Sequence, residues 1–274
     1  MKIINIIAAF TILSSTAFAD LTVIKNQNGK ITKEYNKNDI YAVYEENSLS
    51  LFNLKTDKVI NINREKRTYS ESTLNNYNKS FREFMQISSD KQIEAVVKQL
   101  KKSREEVEKM MFGQIDKQYE MSKQIFDSLK DVKAEKKENI EHGGLIFETY
   151  AITSEDEVIK YVWICPELLN IQKENVNVDK LYRILDDIND IAVDFQEEVM
   201  LRGKELPEDP IFNKTDELRR KGYFIFEMNA DGLNTEPEAD FPEITVSDQE
   251  IDSAIFEIPK DYKKISVIEM MEER

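Results

Sequence analysis

The stretch SLSLFNLKTDKVININREKRTYSE, residues Ser48–Glu71, decides the fold of this chain. Two extended runs, Leu49–Leu54 and Val59–Ile62, flank the turn-forming tetrapeptide Lys55–Lys58. Apolar and polar residues alternate within both runs, which is the period of a strand with one buried face. Beyond Tyr69 the pattern becomes a long, charged helical one. The stretch therefore marks the passage from a strand meander to helices.

The residues before this stretch continue the strand pattern towards the N-terminus. Runs typical of strands occur at Leu21–Lys25, Ile31–Tyr35 and Ile40–Glu45, with a turn at Asn26–Gly29. An Asn-Gly pair favours the left-handed backbone of a hairpin turn. Connections this short exclude parallel crossovers, so the sequence predicts an antiparallel meander of about five strands.

Residues 72–140 are predicted to form a long helical insert, because no proline and a single glycine occur between positions 72 and 139. An apolar stripe that starts at Leu74 predicts a first helix, and the capping-type sequence Ser89–Gln92 predicts a restart. The capping box Ser103–Glu106 precedes a third apolar stripe, Val107–Leu129. Its methionines suit either a packed core or a lipid-facing groove.

After Gly143-Gly144 the sequence predicts a hairpin of Leu145–Thr153 and Val158–Cys165, ended by Pro166. Asn177 is predicted to cap a further amphipathic helix that stops near Gly203. Strands are then predicted at Tyr223–Met228, Ile255–Ile258 and Ile265–Ile268, with an acidic loop at 229–253. Since no long linker divides the chain, residues 20–274 are predicted to be a single α+β domain, a largely antiparallel sheet covered by amphipathic helices.

The N-terminal segment MKIINIIAAFTILSSTAFA, residues 1–19, has the pattern of a secretory signal peptide cleaved after Ala19. Its apolar run is too short for a bilayer span, and no cysteine follows to accept a lipid anchor. The sequence therefore predicts a soluble periplasmic or secreted protein without a transmembrane span once the signal peptide is removed.

The net charge of the chain limits its possible partners. The chain has 38 Lys and Arg against 53 Asp and Glu, a formal net charge of −15. This charge repels phosphate backbones and anionic lipid surfaces, so nucleic acid is excluded as a partner.

Cys165 is the only cysteine, so no intrachain disulfide can form. Its apolar surroundings in the sequence predict a buried, inert thiol.

Residues for catalysis are few. His142 is the only histidine, and no G-x-S-x-G motif accompanies it, which disfavours a hydrolase. One histidine and one cysteine do not make a zinc site, and no phosphate-binding glycine motif occurs. The segment Asp231–Glu236 lacks the spacing of a calcium loop, because its glycine follows the first aspartate directly. The sequence predicts no enzymatic activity, no catalytic residue, no metal site and no cofactor.

Three segments taken together, NLKTDKVININREKRTYSE, IFETY…YVWICPELL and AIFEIPKDYKKIS, resemble an exported bacterial family without assigned activity, domain-of-unknown-function family 4412. The helical insert is longer than is typical of that family. The family's architecture is similar to that of the periplasmic lipoprotein carriers (LolA-like), which implies a curved half-barrel sheet enclosing an apolar cavity. The positions that carry the resemblance are Arg67-Thr68-Tyr69, Gly144, Trp163, Phe256, Pro259 and Tyr262.

Two functions are compatible with these features. In the first, the protein binds or carries an apolar, lipid-like ligand in the cell envelope, between the Val107–Leu129 stripe and the sheet. In the second, it is a structural or interaction module whose helical insert contacts an envelope protein. Whether the helices fill the concave side of the sheet stays open at this point. The ligand-binding residues predicted by the first hypothesis are Leu51, Ile60, Ile62, Met111, Ile115 and Trp163.

Overall fold

The computed structural model describes residues 20–230 and 241–273, so the predicted signal peptide and the calcium-like segment lie outside the described residues. The chain begins with an antiparallel meander in which each strand pairs with the next. The meander has six strands, one more than predicted, since a strand also forms from Thr68 onwards. The strands are β1 Leu21–Gln27, β2 Lys30–Lys37, β3 Ile40–Glu45, β4 Ser48–Asn53, β5 Lys58–Asn63 and β6 Thr68–Thr73.

Turn chemistry sets the register of this meander. Asn28 and Gly29 both have positive φ, 53° and 84°, which confirms the predicted hairpin turn between β1 and β2. In the stretch that decides the fold, Leu49 lies opposite Ile62 and Leu51 lies opposite Ile60. The alternating apolar residues therefore meet in cross-strand pairs, as the sequence predicts.

The helical insert is a pair of long helices, α1 Leu74–Leu100 and α2 Arg104–Ser128. The predicted restart at residues 89–92 is wrong, because α1 runs through these residues without a break. A capping-type sequence starts a helix only where the preceding chain is not already helical, and neither proline nor glycine interrupts α1. The Ser103–Glu106 capping box is confirmed at the start of α2. The observed helical insert is also shorter than the predicted one, residues 72–140, since residues 133–136 form a strand.

The second half of the chain forms a separate five-stranded antiparallel sheet. Its strands are β7 Lys133–Lys136, β8 Ile140–His142, β9 Leu145–Ser154, β10 Glu157–Cys165 and β11 Tyr223–Asn229. They are ordered β11-β10-β9-β7, with β8 also pairing with β9. The predicted hairpin is confirmed as β9 and β10, and Pro166 occupies the start of a helix. This helix, α3 Pro166–Asn175, and a later one, α5 Pro210–Arg219, were not predicted from the sequence. Between α3 and α5 lie α4 Val178–Phe195 and a π-helix, Gln196–Met200.

The C-terminal residues return to the first sheet. β12, Glu243–Ser247, lies within the predicted acidic loop and pairs antiparallel with β1. β13, Lys263–Lys264, pairs in parallel with β6. The two predicted C-terminal strands are wrong. Residues 253–256 form a 3₁₀ helix, and α6, Val267–Glu272, starts at a second capping box, since Ser266 accepts a hydrogen bond from the Glu269 amide.

The core lies between the sheets and the later helices. Its largest cluster joins Leu21 and Val23 of β1 to Trp163 of β10 and to Leu168 and Leu181 of α3 and α4. A further cluster lies between β9 and β10 on one side and Leu218 of α5 on the other. The buried residues of α1 and α2, Ile93 and Val107, belong to neither cluster, so the insert is not the main cover of the sheet that the sequence predicts. α1 contacts β5, β6, α4 and α6, while the principal partner of α2 is α1.

The architecture is mixed α+β with largely antiparallel sheets that do not close into a barrel. No helix in the two described ranges has the length and apolarity that crossing a membrane requires.

Candidate functional site

Three of the predicted ligand-binding residues lie together on the first sheet. Leu51 and Ile62 are buried in one cluster, and Ile60 packs against it partly buried. Phe256 and Tyr262 of the C-terminal segment pack on the same cluster. The C-terminal segment therefore covers this cluster.

Trp163 belongs to the other sheet and to a different cluster. Its ring stacks on Phe226 at 5.5 Å and on Tyr161 at 6.0 Å, and Phe241 meets it edge-on. The indole is fully buried, and its Nε1–H has no hydrogen-bond partner among the described residues. The hydroxyl of Thr149, the residue opposite Trp163 on β9, is also buried without a partner.

The last two predicted residues, Met111 and Ile115, lie half-buried on α2. The flank of α2 is held by a loop of the second half of the chain. The Arg202 and Lys204 side chains bind Asp116, with Arg202 Nη2 2.6 Å and Lys204 Nζ 3.0 Å from the carboxylate. The six predicted residues thus lie on two sheets and one helix, and no shared cavity brings them together among the described pockets.

An apolar groove is present elsewhere, between α1 and the end of α4. Its volume is about 640 Å³, within the range of small-molecule sites. Phe84 and Met85 form the α1 side, and Phe195 and Met200 form the opposite side. Because α4 widens into a π-helix after Phe195, residues 196–200 are displaced from the face that a regular helix would give them. We refer to this feature as the α1–α4 groove.

Polar residues line the same groove further along α1. Ser88, Ser89, Lys91 and Gln92 lie on α1, and Gln196 lies opposite. Since four helical residues rise about 6 Å, these side chains begin roughly one turn beyond the apolar pair on α1. The groove therefore has an apolar part and a polar part.

Two exposed ion pairs lie beside the groove. Arg82 pairs with Glu198 of the π-helix, and Lys91 pairs with Glu272 of α6. Of these two cations Lys91 lines the groove, and the Glu272 carboxylate neutralises its charge. The groove gives no local pattern in the sequence, because it depends on a π-helix and on contacts between residues more than a hundred positions apart.

A second cleft, of about 700 Å³, is lined by turns at Asn38-Asp39, Lys55 and residues 173–179. Asp39, one of its lining residues, already makes two hydrogen bonds within the fold. Asp39 accepts a hydrogen bond from the Asn177 amide at 2.9 Å, and its own amide donates to the Asn175 carbonyl at 2.8 Å. These bonds join the β2–β3 turn to the start of α4, and we assign the cleft a role in packing.

A buried ionic network joins the two sheets. Lys25 of β1 lies 2.8 Å from the Glu34 carboxylate of β2, and its ammonium also donates to the Phe224 carbonyl of β11 at 3.1 Å. The hydroxyls of Tyr41 and Tyr223 both donate to the other carboxylate oxygen. Burial, followed by the nearby Glu34 charge, raises the pKa of both tyrosines well above the ordinary 10.0.

Groups with chemical reactivity are dispersed. His142 is exposed on β8, with its ring 6.4 Å from that of Phe241. Cys165 is a buried free cysteine, and burial raises the pKa of its thiol, which favours the unreactive protonated form. Within residues 20–230 and 241–273, no group of three or more His, Cys, Asp or Glu side chains is placed to hold a metal ion.

Comparison of the chain with protein-family models, with curated proteins and with solved structures gives no match.

Proposed function

We propose that the protein binds an apolar, lipid-like ligand in the cell envelope without transforming it, and that the ligand occupies the α1–α4 groove. The observation that carries this proposal is the groove itself, an apolar concavity lined on both sides by aromatic and methionine side chains. Methionine is flexible and polarisable, so Met85 and Met200 can adapt to an irregular apolar surface.

The location differs from the one predicted from the sequence, which placed the ligand against the strands. Residues 256–262 pack on Leu51 and Ile62, and the buried indole of Trp163 lines none of the described pockets. The class of ligand is nevertheless the same. Membership of the exported family, a half-barrel sheet of the LolA-like kind and signal-peptide cleavage after Ala19 belong to the same proposal. The first two are expected of a lipid carrier, and the third would export it to the envelope.

Filling the groove tests the proposal. Ser88 lies in the groove and is half-buried, so Ser88→Trp places an indole where the ligand would lie. Gln114→Trp is the matched control, because Gln114 is an exposed position of the neighbouring helix α2. Binding of a fluorescent fatty-acid derivative to the purified chain is measured by titration, and bound lipid by native mass spectrometry and solvent extraction.

We expect the original chain and Gln114→Trp to bind the probe and Ser88→Trp to lose at least tenfold in affinity. Each methylene removed from the probe should weaken binding up to about fourfold, since a fully buried methylene contributes about 0.8 kcal/mol. An original chain that neither contains lipid nor takes up the probe would refute the proposal. Equal binding by Ser88→Trp and Gln114→Trp would place the ligand elsewhere.

A second candidate function is presentation of the helical pair to an envelope protein. The observation that favours it is an uncovered apolar stripe on α2, in which Met110, Met121 and Ile125 are 42%, 61% and 55% exposed. These residues lie on one face, because eleven and fifteen residues are close to whole numbers of helical turns. A photocrosslinker at Met121 should then yield one protein adduct that Ile125→Ser abolishes. A crosslinker at Lys33, on the meander, is the control.

A further inference from the structure

We infer that the ligand of the α1–α4 groove carries an uncharged head group that donates and accepts hydrogen bonds, as in a monoacylglycerol. This inference rests on the proposed function and concerns the chemical class of the ligand. It follows from the polar part of the groove and from the charges around it.

The polar part of the groove has unused hydrogen-bonding capacity. Ser88, Ser89 and Gln92 on α1 and Gln196 opposite present two hydroxyls and two amides. In the part of the chain that the structure describes, none of these four side chains takes part in a hydrogen bond. Together they can both donate to and accept from hydroxyl or ester oxygens.

The charges beside the groove disfavour a charged head group of either sign. Among the residues that the structure describes, Lys91 is the one charged residue that lines the groove, and its ammonium is already paired with Glu272. Arg82, the neighbouring cation, is paired with Glu198. A carboxylate or phosphate head would therefore find no free cation there, and it would enter the field of a chain with a net charge of −15.

A cationic head group has no better site. Among the described residues no carboxylate lines the groove, and those of Glu198 and Glu272, in the two ion pairs beside it, each already bind a basic side chain. An ammonium head could gain one of them only by displacing that side chain. Hydroxyl and amide groups, by contrast, can bind the serine and glutamine side chains without breaking an ion pair, because only water is displaced.

Three probes with the same twelve-carbon chain test the inference: lauroyl glycerol, laurate and dodecyltrimethylammonium. Each is titrated into the purified chain below its micelle concentration by calorimetry, at low and at high salt. We expect lauroyl glycerol to bind about tenfold more tightly than either charged probe at low salt. Its affinity should change little with salt, because no ion pair forms.

Gln92→Ala should lower the affinity for lauroyl glycerol about fivefold and leave laurate binding unchanged, as expected for the loss of one neutral hydrogen bond. Gln99→Ala, at an exposed position of α1 outside the groove, is the control. Equal or tighter binding of laurate or of dodecyltrimethylammonium would overturn the head-group inference while supporting an apolar ligand. If none of the three probes binds, the proposed function itself fails.

Discussion

The buried network around Glu34 predicts an unusual pH dependence for the variant Tyr223→Phe. In the original chain the Tyr223 hydroxyl donates to a buried carboxylate that also pairs with Lys25. Phenylalanine keeps the ring against the core and removes only this bond. Because hydrogen bonds to charged groups contribute about 1.5–3 kcal/mol, we expect a loss of about 2 kcal/mol in the free energy of unfolding at neutral pH.

At alkaline pH this loss should shrink. The folded-state pKa of Tyr223 is well above the unfolded value of 10.0, so the unfolded chain releases the phenolic proton first. Stability from this tyrosine is therefore fully present below pH 10 and falls as the pH rises towards the folded-state pKa. One pH unit above the unfolded pKa, the original chain has lost about 1.4 kcal/mol from this group. Tyr223→Phe has no such proton to lose.

Urea unfolding followed by circular dichroism at several pH values from neutral to about 11 measures both effects. We expect the deficit of Tyr223→Phe to fall from about 2 to about 0.6 kcal/mol over this range. Tyr262→Phe is the matched control, since the Tyr262 hydroxyl makes only a 3.5 Å contact with the Arg64 carbonyl. A deficit that stays constant, or that grows with pH, would refute the assignment of the raised pKa to this buried hydroxyl.

Two further predictions concern single contacts in the fold, and both are read from urea unfolding. Lys37→Met should cost about 3–5 kcal/mol, because it leaves the Asp20 carboxylate, 2.7 Å from the Lys37 ammonium, buried without its cation. Lys55→Met removes an exposed pair and should cost under about 1 kcal/mol; equal costs would contradict the role of burial. Gly222→Ala should cost about 1–3 kcal/mol, because a Cβ there lies 3.0 Å from the Ile164 side chain. Gly113→Ala, inside α2 with open space around it, should instead stabilise by about 0.5–1 kcal/mol. A stabilised Gly222→Ala or a destabilised Gly113→Ala would contradict the packing.

The sequence alone predicts the parts of the fold that depend on neighbouring residues. The Asn28-Gly29 turn, the Ser103–Glu106 capping box and the start of α4 at Asn177 each have local hydrogen-bonding chemistry, and all three are confirmed. The failures arise where local signals compete. The sequence Ser89–Gln92 can cap a new helix, yet α1 continues through it, because extending an existing helix is more favourable than starting another.

The candidate site depends on contacts that no local pattern encodes. Periodicity identifies Leu51 and Trp163 as inward-facing, and both are indeed buried. It cannot tell that they face different clusters, because the division into two sheets is decided by pairings between distant strands. Glu34, one of four charged residues in β2, likewise gives no sign in the sequence that Tyr223 will donate a hydrogen bond to it. The groove is less predictable still, since it needs the π-helix after Phe195.

The position of the helical insert explains why a groove forms beside it. The chain leaves the first sheet at β6, forms α1 and α2, and only then builds the second sheet, so α1 meets α4 of the second half and α6 of the C-terminal segment. Residues from both halves therefore line the groove. A ligand that fills it contacts both halves at once, and it must stabilise their packed arrangement by a free energy that grows with the logarithm of its concentration over its dissociation constant. Binding and the packing of the insert are thus one equilibrium, so a substitution that loosens α1 from α4 should weaken ligand binding even where it leaves every lining residue unchanged.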